Sequence, residues 1–163
     1  MNKIFFAATL FFILLSACSH KLTVKPLTHT EYEESLETAE HKRQILVGKW
    51  LGEQSTENGQ SSRWLMNRKS NASYKVTFQS FLFGKKIDEI SEEGIWGISG
   101  PVYFTVSQML TDKGKTTSND PRDPRYYDAY EILSLDEHAF TYQHFGNHKT
   151  FTVKKVNDRF ELN

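Results

Sequence analysis

The chain is poor in the residues that form covalent cross-links and thiolate metal sites. It contains a single cysteine, Cys18, among 163 residues. A disulfide within the chain needs two cysteines, and a structural zinc site usually needs several metal-binding side chains that include cysteine. The sequence therefore excludes an internal disulfide, and the stability of the fold depends on the burial of apolar surface.

The chain also lacks an excess of charge of either sign. Lys and Arg number 20, Asp and Glu number 20, and the formal net charge at pH 7 is zero. Nucleic-acid-binding domains usually carry a surplus of Lys and Arg on one face, and polybasic segments strengthen binding to anionic lipids. We therefore expect neither a nucleic-acid partner nor electrostatic attraction to a membrane.

Long apolar stretches are rare, and the one that stands out lies at the N-terminus. Residues 4–15 are apolar except for Thr9, and they follow the cation Lys3. A membrane-spanning helix needs roughly 20 apolar residues, so this stretch is too short to span a bilayer. A cation, a short apolar region and small residues before a cleavage point are the pattern of a secretory signal peptide.

The residues that follow the apolar stretch define the type of signal. Residues 15–18, Leu-Ser-Ala-Cys, resemble the lipobox of bacterial lipoproteins. The resemblance implies that residues 1–17 are a cleaved signal peptide and that Cys18 is acylated, for example with palmitate, and anchors the protein to an envelope membrane. Ser19, where Asp would resemble an inner-membrane retention signal, implies the outer membrane, facing the periplasm. The alternative is an ordinary secretory signal with an incidental cysteine.

A polar segment, residues 18–44, separates the anchor from the first predicted strand. Acidic residues such as Glu31 precede basic residues such as Arg43, which is the order that the helix dipole favours. The apolar face, with Tyr32 and Leu36, is narrow. We therefore predict a tether with a short helix, and the alternative is a solvated or disordered spacer.

From residue 45 to residue 163 the dominant periodicity is two, as in half-buried strands. Tyr74, Val76 and Phe78 share one predicted face, and in a later strand Phe104 shares a face with its apolar neighbours two residues away. Strands are predicted over residues 45–55, 62–69, 73–83, 86–98, 102–110, 127–135, 139–145 and 150–156, with a short one at 160–162.

Tight turns between these segments make consecutive strands hairpin neighbours. Closing about eight short antiparallel strands on themselves removes exposed sheet edges. We therefore predict one all-β domain over residues 45–163, a small antiparallel up-and-down β-barrel. A two-sheet sandwich is the alternative, because periodicity does not distinguish closure from stacking.

Gly48-Lys49-Trp50 opens the first strand and resembles the Gly-x-Trp motif of lipocalins and of bacterial lipocalin-like domains. In those families the Trp closes the barrel floor. The resemblance implies that the barrel binds a small apolar ligand such as a lipid. The alternative is a structural or protein-interaction lipoprotein, including one similar to lysozyme-inhibitor lipoproteins, in which the rings fill a solid core. The aromatic ligand-binding candidates are Trp50, Trp64, Phe78, Trp96, Phe104 and Tyr130.

The long connection over residues 111–127 contains two Asp-Pro-Arg repeats. Proline fixes its own φ and restricts the residue before it, so the segment is semi-rigid. Long ordered loops often carry function, and Arg122 and Arg125 are candidates for bidentate binding of a carboxylate or phosphate. The alternative is that the Asp and Arg side chains pair with each other.

No pattern in the chain has the spacing of a catalytic or metal site. His144 and His148 flank a turn without a third residue at diagnostic spacing, and Glu89, Glu92 and Glu93 suggest a solvated strand face. We therefore expect no enzymatic activity, no metal and no cofactor. The expected partners are the membrane, through Cys18, and a small apolar ligand or an envelope protein.

Overall fold

The computed structural model describes residues 26–163. The predicted signal peptide, the predicted acylation site Cys18 and the start of the predicted tether lie outside these described residues. Within them, the elements are α1 (His29–Leu46), β1 (Gly48–Ser55), β2 (Gln60–Arg68), β3 (Ser73–Leu82), β4 (Lys85–Ser99), β5 (Val102–Asp112), β6 (Lys115–Ser118), a 3-10 turn (Pro124–Tyr126), β7 (Tyr127–Leu135), β8 (Ala139–His144) and β9 (Thr150–Val156).

The strands form one antiparallel sheet that closes into a barrel. Pairing runs β1-β2-β3-β4-β5-β7-β8-β9, and β9 returns to pair with β1. Strand β6 lies outside this ring of eight and pairs only with the end of β5. The predicted all-β, up-and-down antiparallel barrel of about eight strands is confirmed, and the sandwich alternative is excluded because the sheet closes.

Helix α1 is longer than the short helix predicted for the tether. Its N-terminus has a capping box: Thr28 accepts a hydrogen bond from the Glu31 amide at 3.3 Å, and the Glu31 carboxylate accepts one from the Thr28 amide at 2.7 Å. The helix continues through Leu46, so the prediction that a strand begins at residue 45 is wrong. Leu46 is fully buried, and this burial favours the extra helical residues.

The C-terminal end of α1 closes one end of the barrel, here called the floor. Arg43 lies 5.1 Å from the ring centroid of Trp96 and donates to the Ser70 carbonyl at 3.1 Å. After the helix, Gly48 has a φ of +110°, a conformation that side chains disfavour, and it turns the chain into β1. The glycine of the Gly-x-Trp motif is therefore required by the backbone at this junction.

Large aromatic side chains fill the floor. Trp50 is fully buried, meets Phe140 edge to face at 6.3 Å and donates from Nε1 to the Leu46 carbonyl at 2.9 Å. Lys155 covers the outer side, with Nζ 5.4 Å from the Trp50 ring centroid. Trp50 therefore closes the floor of the barrel.

Residues 157–163 lie outside the barrel, and the short strand predicted at 160–162 does not form. Lys49 of β1 donates to the Phe160 carbonyl at 2.8 Å and to the Glu161 carboxylate at 2.6 Å, which holds this segment against the barrel wall. Within residues 26–163, no helix combines the length and the apolar character needed to cross a bilayer.

Candidate functional site

The barrel contains a cavity of about 220 Å³ between the floor and the opposite end. Gln54 and Ser62, near the β1–β2 turn, lie at its rim. Its apolar wall consists of Trp64, Met66, Val76, Phe78 and Phe151, and its other lining residues are Glu92, Tyr103, Thr105, Asp128, Tyr130 and Tyr142. A space of this size is large enough for a small molecule.

The strand periodicity brings the apolar wall together. Trp64 and Met66 on β2, and Val76 and Phe78 on β3, are each two residues apart and so face the same side. Gly52, paired with Trp64 on the adjacent strand, leaves room for the indole. A Cβ at Gly52 would lie 2.1 Å from Cε2 of Trp64, so the absence of a side chain there determines the position of the ring.

The structure places five of the six predicted aromatic candidates in two groups. Trp64, Phe78 and Tyr130 line the cavity. Trp50 and Trp96 lie in the packed floor and do not line it.

Phe104 lies on the outer surface, so the prediction that its face points into the barrel is wrong. Its ring covers Gly97 of the neighbouring strand, where a Cβ would lie 2.5 Å from Cζ of Phe104. Its neighbours Tyr103 and Thr105 are buried and line the cavity instead. Successive side chains along a strand point to opposite faces. On β5 the inward-facing side chains, Tyr103 and Thr105, are the more polar set, and they form part of the polar wall of the cavity.

Glu92 is a cavity residue that the sequence interpretation placed on a solvated face. Its carboxylate accepts a hydrogen bond from the Tyr74 hydroxyl. Burial raises the pKa of Glu92, the hydrogen bond from Tyr74 opposes this rise, and the charge of Asp128 adds to it. Its neighbour Glu93 points outward and pairs with Lys75 at 2.9 Å. Because side chains alternate along β4, Glu92 and Glu93 point to opposite faces of the sheet. This alternation is the sequence signal that could have distinguished the two residues.

Asp128 is the second acidic cavity residue, and His144 orients it. Nδ1 of His144 accepts from the amides of Gly146, at 3.0 Å, and Asn147, at 3.1 Å. Because Nδ1 is an acceptor, the network assigns the ring proton to Nε2, which donates to the Asp128 carboxylate at 3.1 Å. No spacing pattern in the sequence points to this pair, since 16 positions separate the two residues.

Three tyrosines, Tyr103, Tyr130 and Tyr142, line the cavity. Tyr103 and Tyr130 are stacked with centroids 5.5 Å apart, and Tyr142 meets Tyr130 edge to face at 5.1 Å. Burial is the main cause that raises the pKa of each of these three phenols. They therefore stay protonated at neutral pH and can donate hydrogen bonds.

A buried arginine lies below the cavity. Arg68 is 1% exposed and donates from Nε and Nη2 to the Tyr103 hydroxyl, at 3.1 and 2.9 Å. No carboxylate of the described chain forms an ion pair with it, and within residues 26–163 its Nη1 has no hydrogen-bond partner. Its charge is therefore stabilised by a phenol oxygen and by the rings of Tyr103 and Phe140, 4.8 and 5.7 Å away.

The two arginines of the Asp-Pro-Arg repeats lie outside the cavity. Arg122 pairs with Asp120 at 2.9 Å, and Arg125 pairs with Asp123 at 2.6 Å. Hydrogen bonds from each arginine lower the pKa of the aspartate two residues before it. The structure thus shows the mutual pairing that the sequence left open as an alternative, and both arginine side chains are more than 80% exposed.

The connection that contains these repeats is not a simple loop. Residues 115–118 form strand β6, which pairs with Met109 through Asp112 of β5.

Within the described residues, no three His, Cys, Asp or Glu side chains are grouped so that they could hold a metal ion. Comparison with known protein families and with curated proteins gives no match to the chain.

Proposed function

We propose that this protein is an envelope lipoprotein whose barrel binds a small ligand with an apolar body in the interior cavity. The observation that carries the proposal is the cavity itself, which combines an apolar wall with a few polar groups. Ligand sites typically have this composition, since apolar surface supplies affinity and placed polar groups supply orientation.

The cavity volume limits the size of the ligand. A cavity of roughly 150 Å³ in another protein holds benzene, while sites for drug-sized ligands usually start near 300 Å³. At about 220 Å³, the barrel fits a small ring system or a short chain. We therefore propose a ligand smaller than a complete long-chain lipid.

Anchoring through Cys18 is the second part of the proposal. It is supported by residues 15–18, Leu-Ser-Ala-Cys, directly after the apolar stretch. Two or three acyl chains bind a bilayer far more firmly than one chain does. Together with Ser19, this supports a location at the outer membrane, facing the periplasm.

The ligand proposal is tested by extracting the protein after purification from its own envelope. Thr105→Phe places a ring in the cavity, and Thr152→Phe makes the same change at an exposed position of β9. We expect solvent extraction and mass spectrometry to find one compound class in the wild type and in Thr152→Phe but not in Thr105→Phe. Equal yields from all three proteins, or none from the wild type, would favour the interaction or structural role.

A further inference from the structure

Both acidic residues of the cavity lie on strands that flank β5. Glu92 is on β4 and Asp128 is on β7, and both strands pair with β5. No lysine or arginine is among the residues that line the cavity within the described chain. The lining therefore carries carboxyl groups without a matching cation.

Neutral side chains are the hydrogen-bond partners of these two carboxyl groups. Tyr74 donates to Oε1 of Glu92, and His144 donates to Oδ1 of Asp128. The Ser107 side chain also hydrogen-bonds to Glu92. These donors are neutral in the arrangement described above, so within residues 26–163 neither carboxylate is neutralised by a cationic partner in the cavity.

Arg68, a buried cation close to the cavity, is directed to a different group. Two of its nitrogen atoms donate to the Tyr103 hydroxyl below the cavity, and its guanidinium lies against the rings of Tyr103 and Phe140. It forms no ion pair with Glu92 or Asp128 in the described chain. An arginine that lined the cavity would favour an anionic ligand, and this one does not line it.

Aromatic rings form much of the remaining wall. Trp64, Phe78, Tyr130 and Phe151 surround the same space as the two carboxyl groups. The faces of aromatic rings attract cations, and a low-dielectric surrounding strengthens the attraction between a cation and a carboxylate. The same surroundings disfavour an anion beside two carboxyl groups.

We propose that the ligand is a small organic cation, an amine or substituted ammonium on an aromatic or apolar body. The ammonium group binds the carboxylates of Glu92 and Asp128, and the apolar body packs against the aromatic wall. This inference rests on the proposed function, because it requires that the cavity be the ligand site.

The test compares three probes of similar shape and different charge: phenethylamine, 2-phenylethanol and phenylacetate. The full chain, processed in its own envelope, is reconstituted into phosphatidylcholine nanodiscs, and empty nanodiscs give the blank. We expect phenethylamine to bind about tenfold or more tightly than 2-phenylethanol, since a charge-assisted hydrogen bond contributes about 1.5–3 kcal/mol. Phenylacetate should bind most weakly.

Matched variants connect the preference to the cavity. Glu92→Gln keeps an acceptor for Tyr74 and removes the charge, and Asp128→Asn does the same for His144. Each should reduce the preference for phenethylamine over 2-phenylethanol by about tenfold. Glu93→Gln, one residue away on the outer face, should leave it unchanged.

The outcomes separate the two proposals. If 2-phenylethanol or phenylacetate binds as tightly as phenethylamine and Thr105→Phe abolishes that binding, the cation inference is overturned while the cavity remains a ligand site. If no probe binds and extraction of the wild type yields no compound, both proposals are overturned. A preference for phenethylamine that Glu92→Gln and Asp128→Asn leave intact also overturns the inference.

Discussion

The guanidinium of Arg68 donates two hydrogen bonds to the hydroxyl of Tyr103, at 3.1 and 2.9 Å, and it has no carboxylate partner in the described chain. Replacing the phenol by a phenyl ring removes the one oxygen that accepts both bonds and leaves the buried charge without it. We expect Tyr103→Phe to lower the free energy of unfolding by about 1.5–3 kcal/mol. Urea denaturation followed by tryptophan fluorescence measures this loss.

The stacked partner Tyr130 offers a matched control for this prediction. Its ring lies 5.5 Å from that of Tyr103, and its hydroxyl makes no hydrogen bond within residues 26–163. Tyr130→Phe should therefore change the free energy of unfolding much less than Tyr103→Phe. Equal losses for the two variants would show that Arg68 does not depend on the Tyr103 hydroxyl.

The raised pKa of Glu92 predicts a pH-dependent gain in stability on neutralising this side chain. A carboxyl whose pKa is higher in the folded state stabilises the fold while it is protonated, and this contribution is lost as the pH rises through the folded-state pKa. Glu92→Gln should therefore have a higher melting temperature than the wild type at pH 7. The difference should shrink below about pH 4.5, the ordinary pKa of a glutamate.

Thermal unfolding followed by circular dichroism at both pH values tests this prediction. Glu89 has the opposite shift, since a hydrogen bond from Lys86 lowers its pKa. Glu89→Gln should therefore give no gain at pH 7. A wild type that is more stable than Glu92→Gln at pH 7 would contradict the assignment of Glu92 to a costly buried site.

The close approach of Gly52 and Trp64 predicts a steric effect on the cavity wall. A methyl group at residue 52 would overlap the indole, so Gly52→Ala should lower the free energy of unfolding by about 1–3 kcal/mol. In a Trp64→Ala background the same change should cost much less, because the ring is gone. A double-mutant cycle without such coupling would contradict the packing described here.

Acylation of Cys18 predicts a labelling result in the natural host. A clickable palmitate analogue should label the wild type, and Cys18→Ala should abolish the label, whereas Ser19→Ala should keep it. From the lipobox resemblance, Ser19→Asp should move the protein to the inner-membrane fraction. Labelling that persists in Cys18→Ala would place the acyl chain elsewhere or reject the lipoprotein proposal.

Much of the fold follows from local pattern. Alternation along β3, where Tyr74 and Val76 are buried and Lys75 is exposed, predicts a strand with one face inward. Gly48 and Trp50 mark the first strand and the floor, because the turn needs a positive φ and the ring fills the barrel end. These features depend on neighbours in sequence, so a sequence-based interpretation reaches them.

The polar wall of the cavity could not be predicted in the same way. Apolar periodicity assigns Phe104 to the interior and Glu92 to solvent, and the structure has them the other way round. The general rule that apolar residues face inward does not hold where the interior is a polar cavity. The contact of His144 with Asp128 depends on the register of the β7–β8 hairpin, which shifts between Ile132 and Ser134 and which apolar periodicity does not reveal.

The most direct test of a ligand site inside the barrel uses the methionines as reporters. Of the three in the chain, Met66 lines the cavity and Met109 lies half-exposed outside it, while Met1 falls within the predicted signal peptide. With ¹³C-methyl-methionine labelling and NMR titration with phenethylamine, we expect a saturable ring-current shift of the Met66 methyl signal and none for Met109. An unmoved Met66 signal, or equal shifts of both signals, would contradict the account.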